Sequence, residues 1–140
     1  MSFSTKYKFS DWPNPDIPLV SAGVYVIWNK KTLMYCGMSG RGIEHNRHKK
    51  KYGLITRLNS HASGRLSGDQ FCVYVGNRLV IPALKPEDLP KFARGDMNLD
   101  MLVKTYIHTH LEYQYALVET SEKAYACERK ARKGEGEKLS

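Results

Sequence analysis

Gly23-Val24-Tyr25-Val26-Ile27-Trp28 and, past a polar connector, Leu33-Met34-Tyr35-Cys36-Gly37 are two short apolar runs. Both are built from the β-branched and aromatic residues that suit strands. Asn29-Lys30-Lys31-Thr32 between them has the length and polarity of a hairpin connector. Side chains two apart on a strand share a face, so Tyr25 and Ile27 stand together while Val24 turns the other way. Tyr25 is then surrounded by apolar neighbours and carries a hydroxyl that needs a partner. Gly37 ends the second strand where a side chain would block backbone or ligand.

On the N-terminal side, Trp12-Pro13-Asn14-Pro15-Asp16-Ile17-Pro18 cannot propagate a helix, because proline lacks the donor and restricts its predecessor. Residues 1–21 are read as an extended arm that lays Trp12 and Ile17 against the sheet. On the other side, Met38-Ser39-Gly40-Arg41-Gly42 is a flexible turn leading into residues 44–52, where six of nine residues are His, Arg or Lys and no apolar period exists. This is a basic surface loop, and phosphate contact by charge neutralisation is its expected use. His45 and His48 lack a third ligand at metal-binding spacing, and the cations around them repel a metal.

From Gly53 the period becomes helical, with Leu54, Leu58 and Ala62 four apart, Ile55 beside them and Gly64 as a stop. Arg57 and His61 form their own row on the flank of that stripe. Phe71-Cys72-Val73-Tyr74-Val75 reads as a strand that Leu79-Val80-Ile81 folds back upon, and residues 82–95 as a loop with one helical turn at Glu87-Asp88-Leu89. Asn98 caps a helix with Leu99, Leu102, Val103, Tyr106 and Ile107 on its inner stripe; His108 and His110 near its end suit the helix dipole. Residues 111–119 alternate as a strand, with Leu111, Tyr113, Tyr115 and Leu117 on one face. Thr120 or Ser121 caps a last helix in which Ala124, Cys127 and Ala131 face the core and Glu128 edges onto the same face. An ion pair with Arg132 is one explanation of that acid, a metal ligand another.

The chain has 140 residues, enough for one domain and one core. The formal charge of +8 points to a polyanionic partner, with plain solubility as the alternative. Cys36, Cys72 and Cys127 are odd in number, unspaced as CxxC and embedded in apolar runs, so they are read as core residues rather than disulfides or zinc ligands. No run approaches a membrane span and residues 1–6 lack a signal peptide's apolar region, which places the protein in the cytoplasm as an expectation.

Gly-Val-Tyr and Tyr-Cys-Gly at this separation, Arg57 with His61 one turn later, and Glu128 on a helix after the third strand together resemble the GIY-YIG nuclease family across residues 22–134. Val24 and Cys36 depart from the family's isoleucines, and no asparagine follows Glu128 in the polar tail of residues 135–140. The resemblance implies an α+β domain over residues 22–134, a small antiparallel sheet seeded by an N-terminal β-hairpin and flanked by helices. It implies a metal-dependent endonuclease, of restriction or stand-alone type, cutting nucleic acid and in the first instance DNA. Tyr25, Tyr35, Arg57, His61 and Glu128 are its expected catalytic residues, with Glu128 holding Mg²⁺ or Mn²⁺. Arg57 would contact the scissile phosphate, Tyr25 would take the water's proton with His61 assisting, and Tyr35 would orient water or phosphate. A solvated helix charge and a core tyrosine are the plainer readings of Arg57 and Tyr35. Arg41, Arg47, His48, Lys49, Lys50 and Lys51 are the expected nucleic-acid contacts, with homodimerisation as one route to specificity. A nucleic-acid-binding domain that does not cut is the alternative, motivated by the absent amide.

Overall fold

The two apolar runs pair, and the strands they form are longer than the motifs. In the computed structural model, which describes residues 2–120, the element order is β1 (Tyr7–Lys8), β2 (Val20–Asn29), β3 (Thr32–Ser39), β4 (Tyr52–Gly53), α1 (Leu54–Ser63), α2 (Gln70–Val75), α3 (Leu89–Arg94), α4 (Leu99–His110) and β5 (Leu111–Val118). The sheet runs β1-β5-β2-β3, antiparallel throughout, and β4 adds a short parallel pairing to β2. The architecture is α+β, an antiparallel sheet seeded by a hairpin and flanked by helices.

Asn29 and Thr32 belong to the strands, leaving Lys30-Lys31 as a two-residue turn with Lys30 at φ 57°. The register slips beside Trp28, which faces Leu33 where Ile27 faces Tyr35. Met34 is the extra residue of that bulge, a device that bends a strand and re-aims its neighbours. Tyr35 thereby lies directly opposite Ile27, on the face that carries Tyr25.

That face is the main core. Tyr25 and Ile27 from β2 and Leu111, Tyr113 and Tyr115 from β5 pack against Leu54, Ile55, Leu58 and Ala62 of α1, Phe71, Cys72 and Val75 of α2, and Val103 and Ile107 of α4. Val24, Val26, Trp28 and Cys36 point to the opposite face, where Phe3, Leu33, Met38 and Val118 pack with them. Leu117, at the end of β5, is exposed although it continues the alternation of Leu111, Tyr113 and Tyr115.

Residues 1–21 do more than drape over the sheet. Trp12 and Ile17 pack on the core as expected, but Tyr7–Lys8 is also an edge strand, and Phe9 in the 3-10 turn Phe9–Asp11 is completely buried. Asn14 donates from Nδ2 to the Tyr113 hydroxyl at 3.0 Å, fastening the proline-rich stretch to β5.

Two expectations fail between residues 70 and 95. The strand expected at residues 71–75 is α2, and the stretch expected to fold back on it is a π-helical turn, Gly76–Val80, that prolongs the helix. Asp69 caps α2 by accepting from the Cys72 N–H at 3.0 Å, and Phe71, Cys72 and Val75 are buried at helical spacing. Capping and burial outweigh the β propensity of valine and the aromatics. Residues 82–95 hold two 3-10 turns, Ile81–Ala83 and Pro86–Asp88, and then α3. Pro82, Pro86 and Pro90 each occupy the first turn of a helical segment, where proline's missing donor is not needed.

The helix expected at residues 53–63 and the one capped by Asn98 form as read, the latter with Asn98 Oδ1 accepting from the Met101 N–H at 2.9 Å. The last expected helix, with Glu128 and Cys127, lies outside the described residues.

Candidate functional site

Helix α1 starts where the chain returns from the basic loop, and Gly53 determines how. Gly53 has φ +98°, and a Cβ there would fall 1.7 Å from the Ser21 carbonyl oxygen, so only glycine lets the chain pair with β2 and turn directly into the helix. One face of α1 then lies on β2, directing His61 at Tyr25 and leaving Arg57, one turn earlier, exposed.

Gly37 prepares the other side. It is the cross-strand partner of Tyr25, and a Cβ on it would lie 2.5 Å from the Tyr25 hydroxyl oxygen. The bare backbone of Gly37 is the space into which the phenol extends. The Tyr25 hydroxyl thus reaches His61 Nε2 at 2.8 Å. Tyr35 closes the group, its ring centroid 6.0 Å from that of Tyr25, 5.6 Å from His61 and 5.2 Å from Phe71.

Behind His61 stands a residue that the sequence reading missed. Asp69 Oδ2 lies 2.8 Å from His61 Nδ1 and accepts from Ser60 Oγ at 2.6 Å, while its other oxygen caps α2. His61 and Asp69 are each only 2 % exposed. The available signal was the helix cap: an Asp immediately before a helical run is a typical N-cap, but reading residues 71–75 as a strand removed the helix it would cap.

The electrostatics follow from this burial. Burial alone would raise the Asp69 carboxyl, but hydrogen bonds from His61, Ser60 and the Cys72 N–H outweigh it and hold the group well below the usual carboxylate range. Burial pushes the Tyr25 hydroxyl well above its ordinary value and Tyr35 adds to this, while the Arg57 guanidinium pulls it down. Burial also pushes the Cys72 thiol up to about 12, in keeping with a core cysteine rather than a nucleophile. Cys36 and Cys72 are both buried; Cys127 lies outside the described residues.

Beside this group opens a cleft of about 470 Å³, lined by residues 38–41 at the end of β3, by Tyr52 and Gly53, and by Thr56, Arg57 and Ser60 of α1. Arg57 is at its wall, and among the described residues no carboxylate lies within ion-pair distance of the guanidinium. Arg41 also lines the cleft, and Arg41, Arg47, His48, Lys49, Lys50 and Lys51 are all exposed. The loop that carries them is anchored by fully buried Ile43 and clasped where it closes, by the Tyr52 hydroxyl donating to the Arg41 carbonyl. Lys49 Nζ sits 4.9 Å above the Tyr52 ring, and the Arg47 guanidinium reaches the Glu119 carbonyl at 3.4 Å.

Of the five expected catalytic residues, Tyr25, Tyr35 and His61 come together, Arg57 stands one turn before His61 on the wall of the neighbouring cleft, whose lining includes none of those three, and Glu128 is outside the described residues. No family model, curated protein or solved structure matches the chain. Among the described residues no three His, Cys, Asp or Glu side chains gather as a metal-ligand set, and no helix is long and apolar enough to cross a membrane.

Proposed function

We propose that the chain is a phosphodiester-cleaving endonuclease acting on nucleic acid, most simply DNA, with a site similar to that of the GIY-YIG nucleases. The observation that carries this reading is the Tyr25 hydroxyl on the His61 imidazole at 2.8 Å, beside a cleft that Arg57 lines and a basic loop borders. Hydrolysis of a phosphodiester needs an activated water and stabilisation of charge on the phosphoryl oxygens. Arg57 suits the second task, since its planar fork can donate two hydrogen bonds to non-bridging oxygens where lysine offers a point charge. Tyr25 and His61 suit the first, as a phenol that can accept the water's proton while passing its own to an imidazole. Tyr35, half-buried against both rings, is suited to holding the water or the phosphate.

The described residues alone do not make a divalent-cation site, so Mg²⁺ or Mn²⁺ would be held by Glu128 together with water and phosphate oxygens. Such an ion, when bound, supplies Lewis-acid stabilisation of the phosphate and the leaving oxygen.

Incubation with supercoiled plasmid and Mg²⁺ tests this reading. Nicked and linear products are expected from the native chain, with a fall of about 10²-fold or more for Arg57→Ala and for Glu128→Ala. Loss of cleavage without loss of folding is the expected result for Arg57→Ala, whose side chain is exposed.

A second reading, a domain that binds nucleic acid without cutting it, is favoured by one feature. Tyr25 is only 1 % exposed, so a water must enter beside it before it can be activated. Salt-sensitive plasmid binding with no metal-dependent nicking would decide for this alternative.

A further inference from the structure

The proposed chemistry uses one nitrogen of His61 and leaves the other, together with Asp69 and Ser60, unexplained. We infer that Asp69 is a positioning residue, whose carboxylate keeps the proton of His61 on Nδ1 and so reserves Nε2 as the acceptor for the Tyr25 hydroxyl. This inference rests on the endonuclease reading for its consequence in catalysis, but the tautomer it specifies is a property of the folded chain itself.

Donors and acceptors around the imidazole decide its tautomer. An ionised carboxylate only accepts, so the 2.8 Å contact between Asp69 Oδ2 and His61 Nδ1 requires the hydrogen to be on Nδ1. A neutral imidazole then has its lone pair on Nε2, and the 2.8 Å contact to Tyr25 is made by the phenol donating. Both oxygens of Asp69 are committed, Oδ2 to Ser60 and His61 and Oδ1 to the Cys72 N–H, so the carboxylate cannot rotate without breaking the cap of α2. Phe71 packs on the imidazole at a ring-centroid distance of 4.9 Å, which opposes a ring flip. Orientation and tautomer are thus held by the same short segment.

The consequence for proton transfer balances. As the water oxygen forms its bond to phosphorus, its proton passes to Tyr25 Oη and the Tyr25 proton passes to His61 Nε2. The bond from phosphorus to the leaving oxygen breaks, and that oxygen takes a proton from solvent. His61, now an imidazolium beside the Asp69 carboxylate, later returns its proton through Tyr25 to water. With the proton on Nε2 instead, the imidazole would donate to the Tyr25 oxygen, and the Tyr25 proton would have no acceptor on His61.

The test uses the full chain in two measurements. Long-range ¹H–¹⁵N NMR correlations, with His61 assigned by its loss in His61→Gln, report which ring nitrogen carries the proton. Nicking of supercoiled plasmid in Mg²⁺ reports turnover. The native chain is expected to carry the proton on Nδ1. Asp69→Asn, which keeps an oxygen for the α2 cap, is expected to move the proton toward Nε2 and slow nicking by about 10²- to 10⁴-fold. Asp69→Glu, which restores an ionised acceptor for Nδ1–H, should recover part of that loss. A proton on Nε2 in the native chain overturns the inference whether or not Asp69→Asn folds. So does a folded Asp69→Asn chain that nicks within about twofold of native. If the native chain carries Nδ1–H but cuts nothing, the tautomer assignment stands and the endonuclease reading fails.

Discussion

Tyr25 reaches His61 only because the residue facing it across the hairpin has no side chain. Gly37→Ala would set a methyl 2.5 Å from the Tyr25 hydroxyl and 2.6 Å from its Cζ. The phenol is fully packed, so the ring or the strand must move, at a cost of about 1–3 kcal/mol for overpacking. The expected outcome is a lower urea midpoint together with loss of the Tyr25 hydroxyl proton's NMR signature of hydrogen bonding, even where far-UV circular dichroism is unchanged. Asp69 makes a prediction about acid. Its carboxyl is held below its unfolded value of about 3.9, so the stability it contributes is fully present above that value and is lost as pH falls toward the lower folded one. Urea unfolding of the native chain should therefore weaken steeply below about pH 4. Asp69→Asn should flatten that acid limb while lowering stability at neutral pH by about 2 kcal/mol, as expected when a buried hydrogen bond to a charged group is lost.

Elements differ in how openly their residues announce them. Helix α4 was legible from both ends, since Asn98 is a capping side chain followed by an apolar stripe in which Val103 and Ile107 are buried and Leu99, Leu102 and Tyr106 half-buried. Asn98→Ala should remove the bond to the Met101 N–H and lower stability by about 1 kcal/mol in urea titration. The hairpin was legible too, except for its bulge: nothing in Leu33-Met34-Tyr35 says which residue is extra, because the slip is decided by pairing with β2. Helix α2 was not legible. Its residues are those of a strand, and the packing of Phe71, Cys72 and Val75 into the core, with the Asp69 cap, makes the helix the better solution. That misreading propagated to the site, for Asp69 is recognisable as a cap only once the helix after it is known. Tyr25, Arg57 and His61, by contrast, sit on the two elements whose periodicity was clear, and the meeting of Tyr25 with His61 follows from α1 packing on β2. Helix α3 was hidden by Pro90 and the prolines before it, whose breaking role and starting role look the same until the flanking geometry is known.

At the scale of the molecule, the exposed cations of residues 41–51 lie on the loop that borders the cleft. If they neutralise phosphates, log affinity for duplex DNA should fall linearly with log salt, and replacing Lys49, Lys50 and Lys51 together by alanine should reduce the slope by up to about three, one per lost contact. Fluorescence anisotropy of a labelled duplex across salt concentrations measures this, and an unchanged slope would remove the loop from the binding surface. The manner in which the loop is rooted has a wider consequence. Tyr52 and Gly53 at its exit pair with Val20 and Ser21, and the Tyr52 phenol holds the Arg41 carbonyl at its entrance. Both feet therefore stand on one scaffold, a few residues from the chemistry, whatever happens between them. Lengthening such a tethered segment is thermodynamically mild, about 0.6 kcal/mol for each doubling, so residues 44–51, beyond the buried anchor Ile43, form an exchangeable cassette: what the protein grips can diverge while Tyr25, His61 and Arg57 stay where they are.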